Sequence, residues 1–566
     1  MAFQISPGVN VSEVDLTTVV PSVSTTAGAY AGQFQWGPVN KRTLVTHETD
    51  LVNRFSEPDS NTATSFFSAA NFLAYGNNLQ VVRAANTGSY NATSNTLEPR
   101  LINNEDIFDS TYIAASNTVS FVARYPGALG NSLKISVCTA NTANANAQFS
   151  NWTYKANFSS APTTSSYTSA AGGANDQIHI VVVDEDGLFS NGAKNTVLEV
   201  YPFLSKASDA VGDDGSPSFY QTVIRNKSKY VYALGPVDAA NTYATWGQTA
   251  SGTQFTGVES SQTISLSGGA TKNVADSDIV TAWNYFSNAD EVDVSLLVSG
   301  DASTTVQQTV VDLATTRKDC VAFVSPPSSS VLNNADSATA IKTWASTTIN
   351  RATSYAVADS GWKYQFDKYN NLYRWVPLNG DIAGLCVRTD TTRDPWFSPA
   401  GYTRGAIKNV VKLAWNPNQA QRDTIYSVGV NPVVSFPGQG TILYGDKTLL
   451  SQPSAFDRIN VRRLFVVLEK AIARASKYSL FELNDEFTRA QFISLVEPFL
   501  RDVKGRRGVY DYRVVCDDTN NTSQVIDSNQ FVGDIYIKPA RSINYIQLNF
   551  VAVRSGVSFS EIVGAV

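Results

Sequence analysis

The chain has 566 residues, of which 43% are apolar and only 16% charged, with a formal net charge of −6. At roughly 100–200 residues per domain this length predicts three to five domains, each able to bury a core, and the acidic balance excludes the basic field on which phosphate binding depends, so nucleic acid is not an expected partner. No 18-residue apolar run and no signal-peptide pattern occurs, so membrane insertion is not expected, and the dispersed Cys138, Cys320, Cys386 and Cys516 read as free buried thiols of a reducing cytoplasm.

Residues 1–22 place Val9, Val11, Val14, Leu16, Val19 and Val20 between Pro7 and Pro21 without a helical period, which predicts an extended arm. From 23 to 85 the texture is mixed, with a helix at "SFFSAANFLAYG" ending at Gly76 and a strand at "LQVVRAA". This segment is expected to join residues 345–450 in a discontinuous middle domain. Residues 86–177 are rich in Asn, Ser, Thr and Ala, with short strands at "TVSFVARYPG" and "SLKISVC", and read as a β-rich outer insertion. Residues 178–344 read as an outer α/β domain. It opens with "IHIVVVDEDG" and "TVLEVYPFL", around an acidic turn at Asp184–Gly187 that lacks the closing Glu of a calcium loop and reads as a hairpin.

Between Asp293 and Asp359 strands and helices alternate as a βαβαβ unit. Its first turn, "SGDAST", carries one glycine and no dinucleotide fingerprint. Only His47 and His179 exist, too few for a histidine triad or a two-histidine metal site in one segment. In "GTILYGDKT" Asp446 puts a carboxylate where a phosphate loop holds phosphates, so this reads as a tight turn. No catalytic, cofactor-binding or metal-binding residue is assigned, and an enzyme is not expected. "PWFSPAGYTRG", Pro395–Gly405, is the most tightly specified loop in the chain.

Residues 451–555 are expected to form a C-terminal domain. Ser454 and Asp457 resemble a capping box opening a helix whose Val461, Leu464, Phe465, Leu468 and Ile472 share one face. Arg463, Lys470, Arg474 and Lys477 gather on the opposite side, flanked by Val466 and Val467. That stripe is either a partner-binding face or an ordinary exposed basic stripe. A second helix at about Thr488–Val503 precedes strands at "VYDYRVVC", "GDIYIKP" and "INYIQLNFVAV", and residues 556–566 form a short terminal arm. Terminal strands with no partner of their own invite pairing with a neighbour.

The segments "SPGVNVSEVD", "AYAGQFQWGPVN", "DEDGLFSNGAKNTVLEVYPFLSKASDA", "KYQFDKYNNLYRWVPLNGDIAGLCVRTDTTRDPWFSPAGYTRG", "GDKTLLSQPSAFDRINVRRLF" and "KPARSINYIQLNFVAVRSGVSFSEIV" resemble the tail sheath proteins of contractile-tailed bacteriophages. The likeness fades over residues 86–177 and 235–289. It implies an α+β, mixed α/β multidomain subunit with conserved inner domains, a β-rich outer insertion and extended terminal arms. It implies stacked hexameric rings in a helical lattice around a tail tube, contracting to drive the tube through the host cell envelope. The partners implied are further copies of the chain, the tail tube protein, the baseplate and the tail terminator or neck proteins, with no cofactor. The location implied is the virion, after assembly in the host cytoplasm. On this resemblance the loop at 395–405 is architectural, and Arg463, Lys470, Arg474 and Lys477 face the tube. Strand exchange between subunits falls to Val9, Val11, Leu16, Ile535, Ile537, Ile546, Leu548, Phe550, Val557 and Phe559. The sheath of a phage-tail-like bacteriocin or other contractile injection system is the alternative.

Overall fold

Short apolar runs become strands buried on both faces in the computed structural model, which describes residues 24–95, 98–113, 119–140, 145–237, 245–258 and 260–547. These residues fall into two units, one within 24–395 and 399–471, the other comprising 396–398 and the chain from 472 onward. The first unit opens with β1 (Gly28–Gln33) and β2 (Thr43–Val45), then helices α1 (Glu48–Phe55) and α2 (Ala63–Leu73), then β3 (Leu79–Ala84). Asp59 prepares the start of α2, its carboxylate accepting from the Thr62 hydroxyl at 2.7 Å and the Thr62 N–H at 2.8 Å. Phe66, Phe67, Ala69, Ala70, Phe72 and Leu73 are all buried, as expected of a helix apolar on every side.

A β-rich excursion follows: β4 (Phe121–Ala123), β5 (Leu133–Thr139), β6 (Gln177–Asp184), β7 (Thr196–Ser205), β8 (Val231–Ala233) and β9 (Gln262–Ser265). The chain then returns through α3 (Asp276–Asn284), β10 (Leu296–Val298), α4 (Thr304–Arg317), β11 (Val321–Val324), α5 (Ser337–Thr343) and β12 (Ala356–Asp359). The hairpin β13 (Trp362–Asp367) and β14 (Leu372–Pro377) leads into α6 (Asn379–Thr392). Strands β15 (Lys412–Leu413), β16 (Val430–Asn431), β17 (Val433–Phe436) and β18 (Gly440–Leu443) come next, and α7 (Ile459–Ser476) follows.

The central sheet runs β16-β12-β11-β10-β1-β3-β2, parallel except at β2. Ala29, Leu297 and Ala322 face a core built with α3, α4 and α5, while Tyr30, Val298 and Phe323 face one built with α1, α2 and α6. The βαβαβ unit read from residues 293–359 is therefore present. It does not belong to an outer domain of residues 178–344, however. β10 pairs with β1 at Gly28↔Leu296 through Tyr30↔Val298, inside the same sheet as residues 28–84. Sequence proximity misled here because parallel pairing requires only a crossover, whatever its length.

The boundary at 177/178 is corrected for a similar reason. Strand β5 lies between β6 and β9, paired from Leu133↔Asp184 to Thr139↔Ile178 on one side and from Lys134↔Ser265 to Val137↔Gln262 on the other. Strand β4 pairs with β8. The insertion thus extends from its entry near Tyr90 to its exit near Ala270, where the two stems exchange reciprocal backbone bonds of 3.0 Å. Arg83, buried at the end of β3, donates to the carbonyls of Phe34, Gln35, Gly37 and Pro126; burial pulls its pKa down to about 9.

The acidic turn after β6 is a loop closed on Asp184. Its carboxylate accepts from the N–H groups of Gly187, Leu188 and Phe189 and from the hydroxyls of Ser132 and Ser190. His179 is buried; its Nδ1 accepts from the Phe203 N–H at 3.0 Å while Nε2 meets the Ser160 carbonyl at 2.9 Å, and burial lowers its pKa. All four cysteines are free and buried.

In open α/β sheets the crevice beyond the carboxyl ends of the strands is where ligands bind. Here a side chain of the protein fills it. Asn379, opening α6, donates through Nδ2 to Gly300 O (2.9 Å) and Ser325 Oγ (3.0 Å), and the Ser325 hydroxyl donates to Asp359 Oδ2 at 2.6 Å. Burial raises the Asp359 pKa to about 8. The folded state then holds a proton that the unfolded chain, with an ordinary carboxyl pKa near 4, has released, so this group's contribution to stability is lost as pH rises between about 4 and about 8. Urea unfolding across that window should show the wild type losing up to about 1.4 kcal/mol per pH unit relative to Asp359→Asn. Parallel profiles for the two proteins would show that Asp359 does not hold this proton.

Candidate assembly surfaces

The second unit is built on α8 (Glu486–Gly505), β19 (Val509–Val515) and β20 (Asp534–Pro539). Asp485 caps α8 by accepting from the Thr488 N–H at 2.8 Å. Phe492, Val496, Leu500 and Val503 form its buried face. The side chain of Asn521 imitates a strand: its Nδ2 donates to Val532 O at 2.8 Å and its Oδ1 accepts from the Val532 N–H at 2.9 Å. Trp396 belongs to this unit, donating through Nε1 to Arg506 O at 3.0 Å, and a Cβ on Gly508 would come within 2.6 Å of Val503 and 3.1 Å of the Trp396 ring. Pro399–Gly405, by contrast, belongs to the first unit, where Gly401 N donates to Leu443 O and Gly405 N to Gly401 O. The densely specified loop thus distributes its residues between two cores.

Strands β19 and β20 form a two-stranded antiparallel ribbon, with a register shift between Val509 and Asp511, and neither pairs with a further strand among the described residues. Ile535 and Ile537 alternate along β20 with the exposed Tyr536 and Lys538. Tyr510 and Tyr536 are 64% and 61% exposed. The strand expected at "INYIQLNFVAV" is not found in its described part: residues 541–547 have no strand pairing, and Ile543, Tyr545 and Ile546 stand largely exposed. Its alternating pattern describes a strand in want of a sheet, and the pattern by itself cannot say which chain supplies one. Val9, Val11, Leu16, Leu548, Phe550, Val557 and Phe559 lie outside the described residues.

The basic stripe is corrected. Arg463 is buried, with Nη2 2.5 Å from Asp390 at the end of α6. Lys470 reaches Asp293 at 2.8 Å, Val294 O at 3.0 Å and Ser295 Oγ at 3.0 Å. Val466 and Val467 are buried as well, so α7 has core on the side read as a surface. Helical periodicity separates the faces of a helix without showing what lies across from them, and here α6 and the entry to β10 do. Arg474 and Lys477 are exposed and belong to the second unit. The four residues do not make one surface.

Sequence reading passed over "YSLFELNDEF". Tyr478, Leu480, Phe481, Leu483 and Phe487 are each more than 60% exposed, a density of apolar side chains that marks interaction surfaces. Large apolar residues interspersed with polar and acidic ones just before α8 were the available signal.

The matching family models cover the two units and leave the insertion out, whereas the curated relatives span nearly the whole chain. The phage tail sheath C-terminal domain matches residues 451–552, the phage tail sheath protein central domain 272–449, and the N-terminal region of tail sheath protein Gp18 domain III residues 25–84. The tail sheath protein of Enterobacteria phage T4 is 35% identical over 656 residues, covering 99% of each chain. Among solved structures, the sheath tail protein of Listeria innocua shares the fold with TM-score 0.53 at 10% identity, over 91% of this chain and 95% of that one. The helical sheath of the anti-feeding prophage in its contracted state shares it with TM-score 0.51 at 13% identity, over 97% and 99%. This chain therefore belongs to the phage tail sheath protein family and is a structural subunit of a contractile tail.

Proposed function

We propose that the chain polymerises as stacked hexameric rings in a helical lattice around a tail tube, and that repacking of folded subunits shortens the lattice and drives the tube through the host envelope. The observation that carries this reading is the two-stranded ribbon β19–β20, an open sheet in a chain whose two termini read as strands. A two-stranded ribbon is marginal by itself and gains most from added strands. Contacts repeated by a rotation that does not close generate a helix from one subunit type. Contraction then needs two packings, the first held by a kinetic barrier and the second lower in free energy, with no chemistry by the subunit. Tail tube, baseplate and neck proteins are the partners this implies, and the virion is the location. Of the basic residues, Arg474 and Lys477 are the pair we assign to the tube side.

Electron microscopy of the purified chain should show tubes of uniform diameter. The same should hold when residues 90–270 are replaced by a short linker and Trp36, which packs on the insertion's Tyr125 and Phe189, is made polar. A cut at 86–177 should instead misfold, because it removes β5 from between β6 and β9. A folded full-length chain that never forms tubes would refute the function, and a folded shortened chain without tubes would refute the peripheral role of the insertion.

A further inference from the structure

The three-stranded sheet β14-β13-β15 of the first unit has one covered face and one open face. On the covered face Lys363, Gln365, Asp367 and Val376 are all buried. The alternate residues form two cross-strand aromatic pairs, Tyr364 opposite Trp375 with ring centroids 4.7 Å apart and Phe366 opposite Tyr373 at 5.2 Å. Phe366 and Tyr373 are 46% and 50% exposed. Cross-strand aromatic pairs steady a hairpin whether or not anything covers them, but four rings side by side in water mark an interaction surface.

The charge beside these rings is basic. Lys412, from β15, lies over Tyr364 at 5.1 Å and over Trp375 at 5.6 Å and meets no carboxylate among the described residues. Lys368, in the hairpin turn, is answered by Glu48 at 3.2 Å. The second unit exposes a surface of the opposite sign. Between the end of α7 and the start of α8, the segment 478–487 reads YSLFELNDEF, with three carboxylates and no basic residue. Its Phe481, Leu483 and Phe487 are each at least 75% exposed, and Glu482, Asp485 and Glu486 stand exposed among them. An aromatic face topped by an ammonium and an apolar segment studded with carboxylates complement each other in both respects, and such complementarity selects partners and fixes register.

We propose that the open face of β13 and β14 in one copy of the chain receives residues 478–487 of the next copy, with the apolar side chains packed on the four rings and the carboxylates gathered around Lys412. The two surfaces are unlike, so the contact is heterologous, and repeated from copy to copy it extends an assembly without closing it. The proposal rests on the sheath reading, which supplies the neighbouring copies. It is a contact between folded surfaces, separate from the strand exchange assigned to the arms.

The test uses the full chain as Lys412→Glu, as Glu482→Lys/Glu486→Lys, and with the two sets combined. Each set alone should raise the protein concentration needed for tubes by at least about tenfold, and the combination, which restores opposite signs, should bring it back to within about threefold of the wild type. Phe481→Ser, at a side chain that is 104% exposed and has no packing to lose, should raise it likewise and serves where a reversal does not fold. A photo-crosslinking phenylalanine analogue in place of Phe366, in tubes grown from an equal mixture of unlabelled and isotopically heavy chains, should give peptides of mixed label that join this position to residues 478–487. Normal tube growth by either charge set or by Phe481→Ser, no recovery in the combination, cross-links to a different segment, or links of a single label only would each overturn the contact while leaving the sheath function intact. Absence of tubes from the wild type would overturn both.

Discussion

Replacing Lys363 by Met while keeping Asp381 should destabilise the subunit by roughly 3–5 kcal/mol, and Asp381→Leu alone by a similar amount, because each leaves a charge buried without its counter-ion. The side chains are 0% and 1% exposed, and Nζ lies 2.9 Å from Asp381 Oδ1 and 3.0 Å from Lys408 O. Tyr75 adds a second donor to the carboxylate at 3.2 Å and accepts from the Lys408 N–H at 2.7 Å. Burial pushes the lysine down and the aspartate up, and the charge of each opposes the shift of the other. Asp381 also lies in the first turn of α6, where the helix dipole favours a carboxylate. The double variant Lys363→Met/Asp381→Leu should cost far less than the two single changes added together, since apolar replacements of buried pairs are often neutral. Urea unfolding of the three proteins measures this; additive losses, or single losses under about 1 kcal/mol, would show that the pair does not hold β13 against α6.

Deleting residues 2–20 should leave a soluble, folded subunit with an unchanged thermal transition and no ability to form tubes. About 20 extended residues at roughly 3.3 Å each span about 65 Å. That is several times the radius of gyration of about 13 Å expected for a domain of about 100 residues, so the arm can reach a neighbour. The ribbon β19–β20 offers the receiving edge, with Ile535 and Ile537 setting which face of an added strand meets apolar surface. An arm tied covalently to one subunit and paired with another would let both swing as rigid bodies without loss of connectivity. Light scattering and electron microscopy after deletion are the measurements, and sheath of normal length from the truncated chain would rule out this arm as the link.

Local patterns carried much of the fold. "SFFSAANFLAYG" and "LQVVRAA" appear as α2 and β3, and the alternation over 293–359 appears as parallel strands with their crossover helices, because length and apolar period are set within a few residues. The glycines of "GDIAGLC" were visible as letters but not as a reason. A Cβ at Gly380 would come within 2.3 Å of Ser68 O, and one at Gly384 within 2.4 Å of the Tyr75 ring, so they let α6 approach α2 closely.

The sequence by itself determined the family, most of the element types and the free thiols, all of which follow from composition, local periodicity and motif. Only the tertiary structure decided that β1 lies between β10 and β3, that β5 belongs with β6 and β9, and that Arg463 and Lys470 are internal ion-pair partners. It also brought Lys412 onto the aromatic face of β13 and β14. The physical reason is common to all four. A residue's neighbours along the chain fix its backbone preference, whereas burial, ion pairing and strand order depend on segments brought together across loops of any length, where a modest closure entropy is outweighed by the surface removed from water.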